Sequence, residues 1–507
     1  MKLFSYISER ERSIITDLYT AIGAFVLSKV THFILKYTIL NPIPTWEYPM
    51  KRNDQFKVLQ KALNDGKLPK IFRPKLAPGS TFSDLFVIAD YDVMKEAFFK
   101  RAVASRQHSE NIKIAISTML ARMDYHKIPR SILDKDDQLL KNGPGEIAGT
   151  ADGPYDDFHK KSRVQWHDTI KRLVGKNRIS EIIKESSEKI VACLERVGSS
   201  AAGIDPRRVF MNASLNVTSG FAFNKTYDFE DPQFEEIAEI IESYFAGITS
   251  MALLQMSWNI LPRWICRSDF YNRLWEKTSY RKDIDAQNPR NYLETILIDA
   301  EQEPRWGYFT VAATIAAIFL AASDTLSVTM TWLVLVLADN PEVQKKMLEE
   351  ISAAREIDAD LKKENCPFIR SVLLESQRLN PVADTLPHIT TDDVQLKDCF
   401  IPKGSQLFAS LTAIMHDPKN FVEPGKFIPD RFIKNGEFVN NPKVCAFSVG
   451  LRDCIGKTLA QDEYFAFATT IVENFKINRI AGNMEVDNAD NLRLPKENIR
   501  LQFVRRQ

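Results

Sequence analysis

The sequence predicts a mainly α-helical protein with a small β-rich lobe, and three features carry that expectation. Apolar residues recur at spacings of three and four over 179–197 and 341–351, the periodicity of helices with one buried face. Residues 311–338 form one almost wholly apolar run, too long for any strand. Strand-like runs are short: LFVIAD near residue 85, and VQLKDCFIPKGSQLFAS near residue 400, which the turn residues Pro402, Lys403 and Gly404 interrupt.

In chain order, residues 18–40 are apolar but carry Lys29, His32 and Lys36, and the proline-bearing NPIPTWEYP follows. We read 1–40 as a membrane anchor or interfacial helix and 41–50 as a hinge, ahead of one domain over 51–507. The early charges of SERER and the missing small-residue cleavage site argue against a cleaved signal peptide. Residues 311–338 could span a bilayer by length, but Asp324 at the middle argues for a central helix buried in protein. ESQR puts Glu375 and Arg378 on one helix face, and FIPDRF later supplies Arg431. KTLAQDEYFAFATTIVENF reads as a helix that starts beside Cys454. A net charge of +1 implies no nucleic-acid partner. Six cysteines without framework spacing suit a reducing compartment.

Residues 447–456, FSVGLRDCIG, match F-x-x-G-x-R-x-C-x-G at Phe447, Gly450, Arg452, Cys454 and Gly456. This spacing fits a thiolate that holds haem iron, because the ligand backbone must almost touch the porphyrin, which Gly450 and Gly456 permit. The dipole of the following helix is expected to lower the thiol pKa. Arg452 can reach a propionate, and Phe447 can shield the sulfur from water. Cys445 lacks such a surround and reads as structural.

These residues resemble the cytochrome P-450 family, the haem-thiolate monooxygenases. VIADYDVMKEAFFKR, NPRNYLETILIDAEQE and HDPKNFVEPGKFIPDRF resemble its animal microsomal branch, which oxidises drugs and steroids. The resemblance implies the P-450 fold, with heme b (iron-protoporphyrin IX) between a proximal loop, its axial thiolate from Cys454, and the long central helix. It puts AASDT, with Ala321, Asp324 and Thr325, at the oxygen site, where Asp324 and Thr325 hand protons to the departing oxygen. Ala322 stands where Gly is common, and Leu326 where a second hydroxyl is common. Glu375, Arg378 and Arg431 form a structural charge network. The family's W-x-x-x-R is out of register here, so Lys160, or else Arg163 with His159, takes a propionate, Arg163 being preferred. His388 takes the place of a propionate-binding Arg.

The chain has no G-x-G-x-x-G of its own, so the resemblance implies electrons from NADPH through a separate flavoprotein reductase. That partner is expected on the cations Lys160, Lys161, Arg163, Lys171, Arg172, Lys176 and Arg178. The expected activity is insertion of one atom of O2 into a lipophilic substrate (steroid, fatty acid or xenobiotic) at the cytosolic face of the endoplasmic reticulum membrane. Substrate contacts are expected from 104–150, about 205–260, the region of Phe319 and Leu320, 384–386 and 482–484. Two alternatives stay open: a reductase-independent haem-thiolate isomerase or dehydratase, which commonly lacks the acid-Thr pair, and a non-enzymatic haem sensor.

Overall fold

The structure is a computed structural model that describes residues 45–47, 59, 61–75, 85–106, 154–232, 234–235, 284–300, 302–303, 305–306, 308–481, 486–487, 494–495 and 499–506. The anchor expected over 1–40 lies outside these residues, as do 107–150, 236–260 and 482–484 of the expected substrate regions.

The β-rich lobe is a five-stranded sheet. Its strands are β1 (Thr45–Glu47), β2 (Ile71–Lys75), β3 (Leu85–Ile88), β4 (Thr385–Ile389) and, after the short hairpin of β5 (Val394–Gln395) with β6 (Phe400–Ile401), β7 (Gln406–Ser410), in the order β1-β2-β3-β7-β4. β3 is buried at every position because β2 and β7 flank it and helices cover it, which is why LFVI reads as an unbroken apolar run. β1, within the stretch read as a hinge, pairs in parallel with β2, so the folded lobe reaches back at least to Thr45. Helix α1 (Tyr91–Phe98) follows, its N-terminus capped by the Asp90 carboxylate at 3.0 Å from the amides of Asp92 and Val93.

The helical part comprises α2 (Asp157–Gly175), α3 (Arg178–Val197), α4 (Arg207–Phe223), α5 (Tyr292–Asp299), α6 (Tyr308–Asp339), α7 (Pro341–Ile357), α8 (Pro367–Leu379), the short α9 (Leu411–Met415) and α10 (Lys457–Asn474). Pro341 and Pro367 open their helices where a missing N–H has no partner to lose. The large core gathers side chains from α2, α3, α4, α6, α8 and α10. Trp166 of α2 packs there on Phe221 and Tyr292 at 4.5 and 5.0 Å between ring centroids. α6 is the expected central helix. Its segment Ala317–Asp339 is apolar enough to cross a membrane, yet 71% of its most apolar window is buried inside the protein. Phe319, expected near substrate, instead turns into the core, 1% exposed and stacked on Phe223 at 5.3 Å. A second core lies beneath the sheet and includes Phe86, Phe98, Leu407 and Cys445. Burial there pushes the Cys445 thiol up to about 12, as suits a structural cysteine.

Candidate active site at the cysteine loop

The loop bearing Cys454 is folded against the end of α1 and leads into α10. The Leu451 amide donates to Phe98 O at 3.1 Å, and the Cys454 amide to Phe447 O at 2.9 Å, which closes the loop on itself. Gly450 has φ +88°, and a Cβ there would stand 2.3 Å from Phe98 O. Its glycine is therefore required by the protein's own backbone rather than by the ring alone. A Cβ at Gly456 would meet only the Cys454 Sγ, at 4.0 Å, so its small size keeps the space beside the sulfur open.

Cys454 is exposed, although it sits deep in this loop. The thiol pKa is raised, not lowered as the helix dipole led us to expect. Burial dominates and the Asp453 carboxylate adds to it, while a backbone hydrogen bond at Gly456 and the cations Arg163 and Arg106 pull the other way. α10 begins at Lys457, beyond the sulfur-bearing turn. Coordination to a metal deprotonates such a thiol outright.

Arg163, expected at a propionate, turns to the cysteine loop. Its guanidinium donates to Asp453 O at 3.0 Å and to Asp453 Oδ1 at 2.6 Å. An acidic side chain next to Cys454 offers a bidentate partner one turn of α2 beyond His159, and the guanidinium takes it. Lys160 pairs outward with Asp157 at 2.7 Å. His159, on the same face of α2 as Arg163, is 4% exposed, and its Nε2 has no hydrogen-bond partner. Burial and the charges of Arg452 and Arg163 hold its pKa down to about 3. His388, on β4, is 2% exposed, stacks on Phe98 at 3.9 Å, and bonds Val103 O through Nδ1 at 2.8 Å. Its Nε2 is likewise unpartnered, and burial with Arg106 nearby lowers its pKa to about 3.

The positive charges of Arg452 and Arg106 are thus felt by both imidazoles. Two guanidiniums and two buried, unsatisfied imidazole nitrogens next to an accessible thiol fit a haem with two anionic propionates. Arg106 was not singled out by the sequence. It belongs to no spaced motif, and only the fold of the β lobe brings it here.

The charge network expected from E-x-x-R is present and buried. Arg378 donates through Nε and Nη2 to the Glu375 carboxylate at 2.7 and 2.9 Å, and Arg431 Nε reaches Glu375 Oε1 at 3.0 Å. Glu375 also accepts from the Ile428 amide at 2.9 Å. Arg378 donates onward to Met415 O, Pro424 O and Lys426 O, so the network pins the segment that leads toward the cysteine loop.

On α6, Ala321 is exposed and Ala322, Asp324 and Thr325 are half-buried, whereas Ser323 and Leu326 are buried. Thr325 Oγ1 donates to Ala321 O at 2.6 Å. Over residues 321–325 the open face of this helix is therefore made of small residues, with a hydroxyl and a carboxylate beside them.

The family model for Cytochrome P450 matches residues 138–503. Cytochrome P450 2C16 of Oryctolagus cuniculus is 30% identical over 333 residues, covering 62% of this chain and 68% of that protein. Cytochrome P450 2C11 of Rattus norvegicus is 31% identical over 337 residues, covering 62% and 67% respectively. The fold matches that of a zebra fish cytochrome P450 solved with progesterone, with a TM-score of 0.72 at 21% identity over 89% of this chain and 99% of that one. The chain belongs to the cytochrome P450 family, the haem-dependent monooxygenases that act on lipophilic substrates with O2, and it binds heme b through a cysteine thiolate.

Proposed function

We propose that this monooxygenase draws its two electrons from NADPH through a separate flavoprotein reductase and oxidises a steroid-like lipophilic substrate at the cytosolic face of the endoplasmic reticulum membrane. One oxygen atom enters the substrate and the other leaves as water, with NADPH and one proton consumed. The observation that carries this reading is the accessible Cys454 thiol beside the paired guanidiniums and unsatisfied imidazoles. The haem, when bound, supplies the redox chemistry that activates dioxygen.

The protein's residues do the rest. Arg452, Arg106, His388 and His159 would hold the propionates. Arg163 fixes Asp453 and so the loop around Cys454. Ala321 leaves room for dioxygen. The Thr325 hydroxyl, now donating to Ala321 O, is within a side-chain rotation of the open face, and Asp324 resupplies its proton. The Phe447 carbonyl, which accepts the Cys454 amide, holds the loop that carries the thiol.

Of the cations expected to dock the reductase, Arg163 and Arg172 are turned inward to Asp453 and Thr295. Lys161 and Lys171 stay outward on α2, each only loosely paired with a carboxylate, near 3.7 and 3.9 Å. They flank Val164, an apolar residue 58% exposed, and this combination supports an acidic protein partner. Likeness to the cytochrome P450 2C proteins supports membrane association, and the progesterone held by the zebra fish protein supports a steroid-sized substrate.

The test is the absorption spectrum of the dithionite-reduced, CO-bound protein. A strongly red-shifted Soret band that is lost in Cys454→Ala is expected. A band typical of histidine-ligated haem overturns the assignment. Reductase and NADPH are then added with progesterone as probe. Substrate-dependent NADPH consumption supports the monooxygenase over the sensor and isomerase alternatives.

A further inference from the structure

Asp453 stands one peptide before Cys454, so the loop puts a carboxylate beside the sulfur proposed as the axial ligand. A like charge at that distance resists any further negative charge on the site. The fold answers it with a cation from 290 residues away along the chain. Arg163 Nη2 donates to Asp453 Oδ1 at 2.6 Å. The Arg163 side chain is 18% exposed and that of Asp453 42%, so the guanidinium is held by the protein on α2 while the carboxylate lies toward solvent.

The other arm of the guanidinium meets backbone. Arg163 Nη1 donates to Asp453 O at 3.0 Å, and the amide of the same peptide unit, that of Cys454, donates to Phe447 O at 2.9 Å. A cation on the carbonyl polarises the peptide and strengthens the bond that its N–H donates. The Asp453 amide donates to Gly450 O at 3.3 Å, so the peptide units on both sides of Asp453 are anchored.

We propose that Arg163 and Asp453 are positioning residues for Cys454 that act as one charge-compensated pair, cancelling the carboxylate beside the thiolate and so setting how readily the bound haem takes an electron. This rests on the reading of Cys454 as the axial ligand. Without Arg163, the uncompensated Asp453 charge disfavours reduction. Without Asp453, the uncompensated guanidinium favours it. A contact that merely held the loop in shape would act in the same direction whichever end was removed.

The test uses the haem-loaded protein. Reduction potentials are measured by spectroelectrochemistry for wild type, Arg163→Gln, Asp453→Asn and the double variant. Arg163→Gln is expected to lower the potential and Asp453→Asn to raise it, each by about tenfold in the ratio of reduced to oxidised haem, ~59 mV for one electron. The double variant is expected between them, near wild type, and Arg163→Lys, which keeps the charge, is expected to recover most of the loss. Shifts of the same sign in Arg163→Gln and Asp453→Asn overturn the charge role. Survival of the red-shifted Soret band of the CO-bound protein in urea reads the pairing itself. Each single variant is expected to lose the band at lower urea, and the double variant no earlier than the weaker single one, because either substitution breaks the same contact. Additive losses mean that Arg163 serves a propionate instead, and overturn the pair. A wild type without the red-shifted band overturns the ligand reading and this proposal with it, whereas failure of the cycle with that band intact overturns the proposal alone.

Discussion

Gly450 and Gly456 flank Cys454 for different physical reasons, and substitution separates them. At Gly450 a methyl group meets a backbone oxygen at 2.3 Å, and the residue holds φ +88°. Gly450→Ala is expected to destabilise the protein by at least about 1–3 kcal/mol from the left-handed backbone alone, read as a lower thermal midpoint and a smaller haem-loaded fraction. At Gly456 the methyl group meets no protein backbone, only the sulfur at 4.0 Å. Gly456→Ala is expected to leave the thermal midpoint of the haem-free protein unchanged and to speed haem transfer to an acceptor protein. The cysteine loop was legible in the sequence because ligand chemistry fixes residue types at fixed separations. The partner of Arg163 was not, since Asp453 lies 290 residues away along the chain and only packing decides which of two acidic ligands, propionate or side chain, the guanidinium meets.

At the scale of elements, the junction of α8 with the segment after α9 depends on one buried carboxylate shared between two guanidiniums. Glu375 and Arg378 are 0% exposed. Glu375→Gln leaves both arginines without their charge partner and is expected to lower stability by about 3–5 kcal/mol, the scale for breaking a buried pair. Arg431→Ala removes a partly exposed member and is expected to lower it by only about 1–2 kcal/mol. Chemical denaturation of the two variants checks the order, and equal losses would contradict it. E-x-x-R alone occurs by chance in many helices. It became informative here through the Arg431 contact, which joins elements far apart in sequence.

At the scale of the whole molecule, acid stability depends on the buried His159 and His388. Both are held neutral, with folded pKa values of about 3, below the ordinary histidine value. As pH falls from about 6.5 toward 3, the unfolded chain takes up protons that the folded chain refuses, so stability falls by about 1.4 kcal/mol per pH unit for each such group. A non-titrating residue in place of either histidine removes its share, so haem-free His388→Gln is expected to lose about 1.4 kcal/mol less stability per pH unit than the haem-free wild type in urea titrations between about pH 6.5 and pH 4. An unchanged slope would contradict a His388 held neutral in the folded protein. By itself the sequence determined the helical class, the central helix with its acid-hydroxyl pair, and the cysteine loop. These follow from periodicity and from chemistry that tolerates few residue types. Tertiary structure alone decided that Arg163 serves the cysteine loop, that Phe319 faces the core, that Arg106 and His159 join His388 and Arg452, and that Ser214 of α4 reaches the Ala322 carbonyl of α6. Each depends on which faces of distant elements are brought together. That is settled by burial across the whole fold and leaves no local signature in the chain.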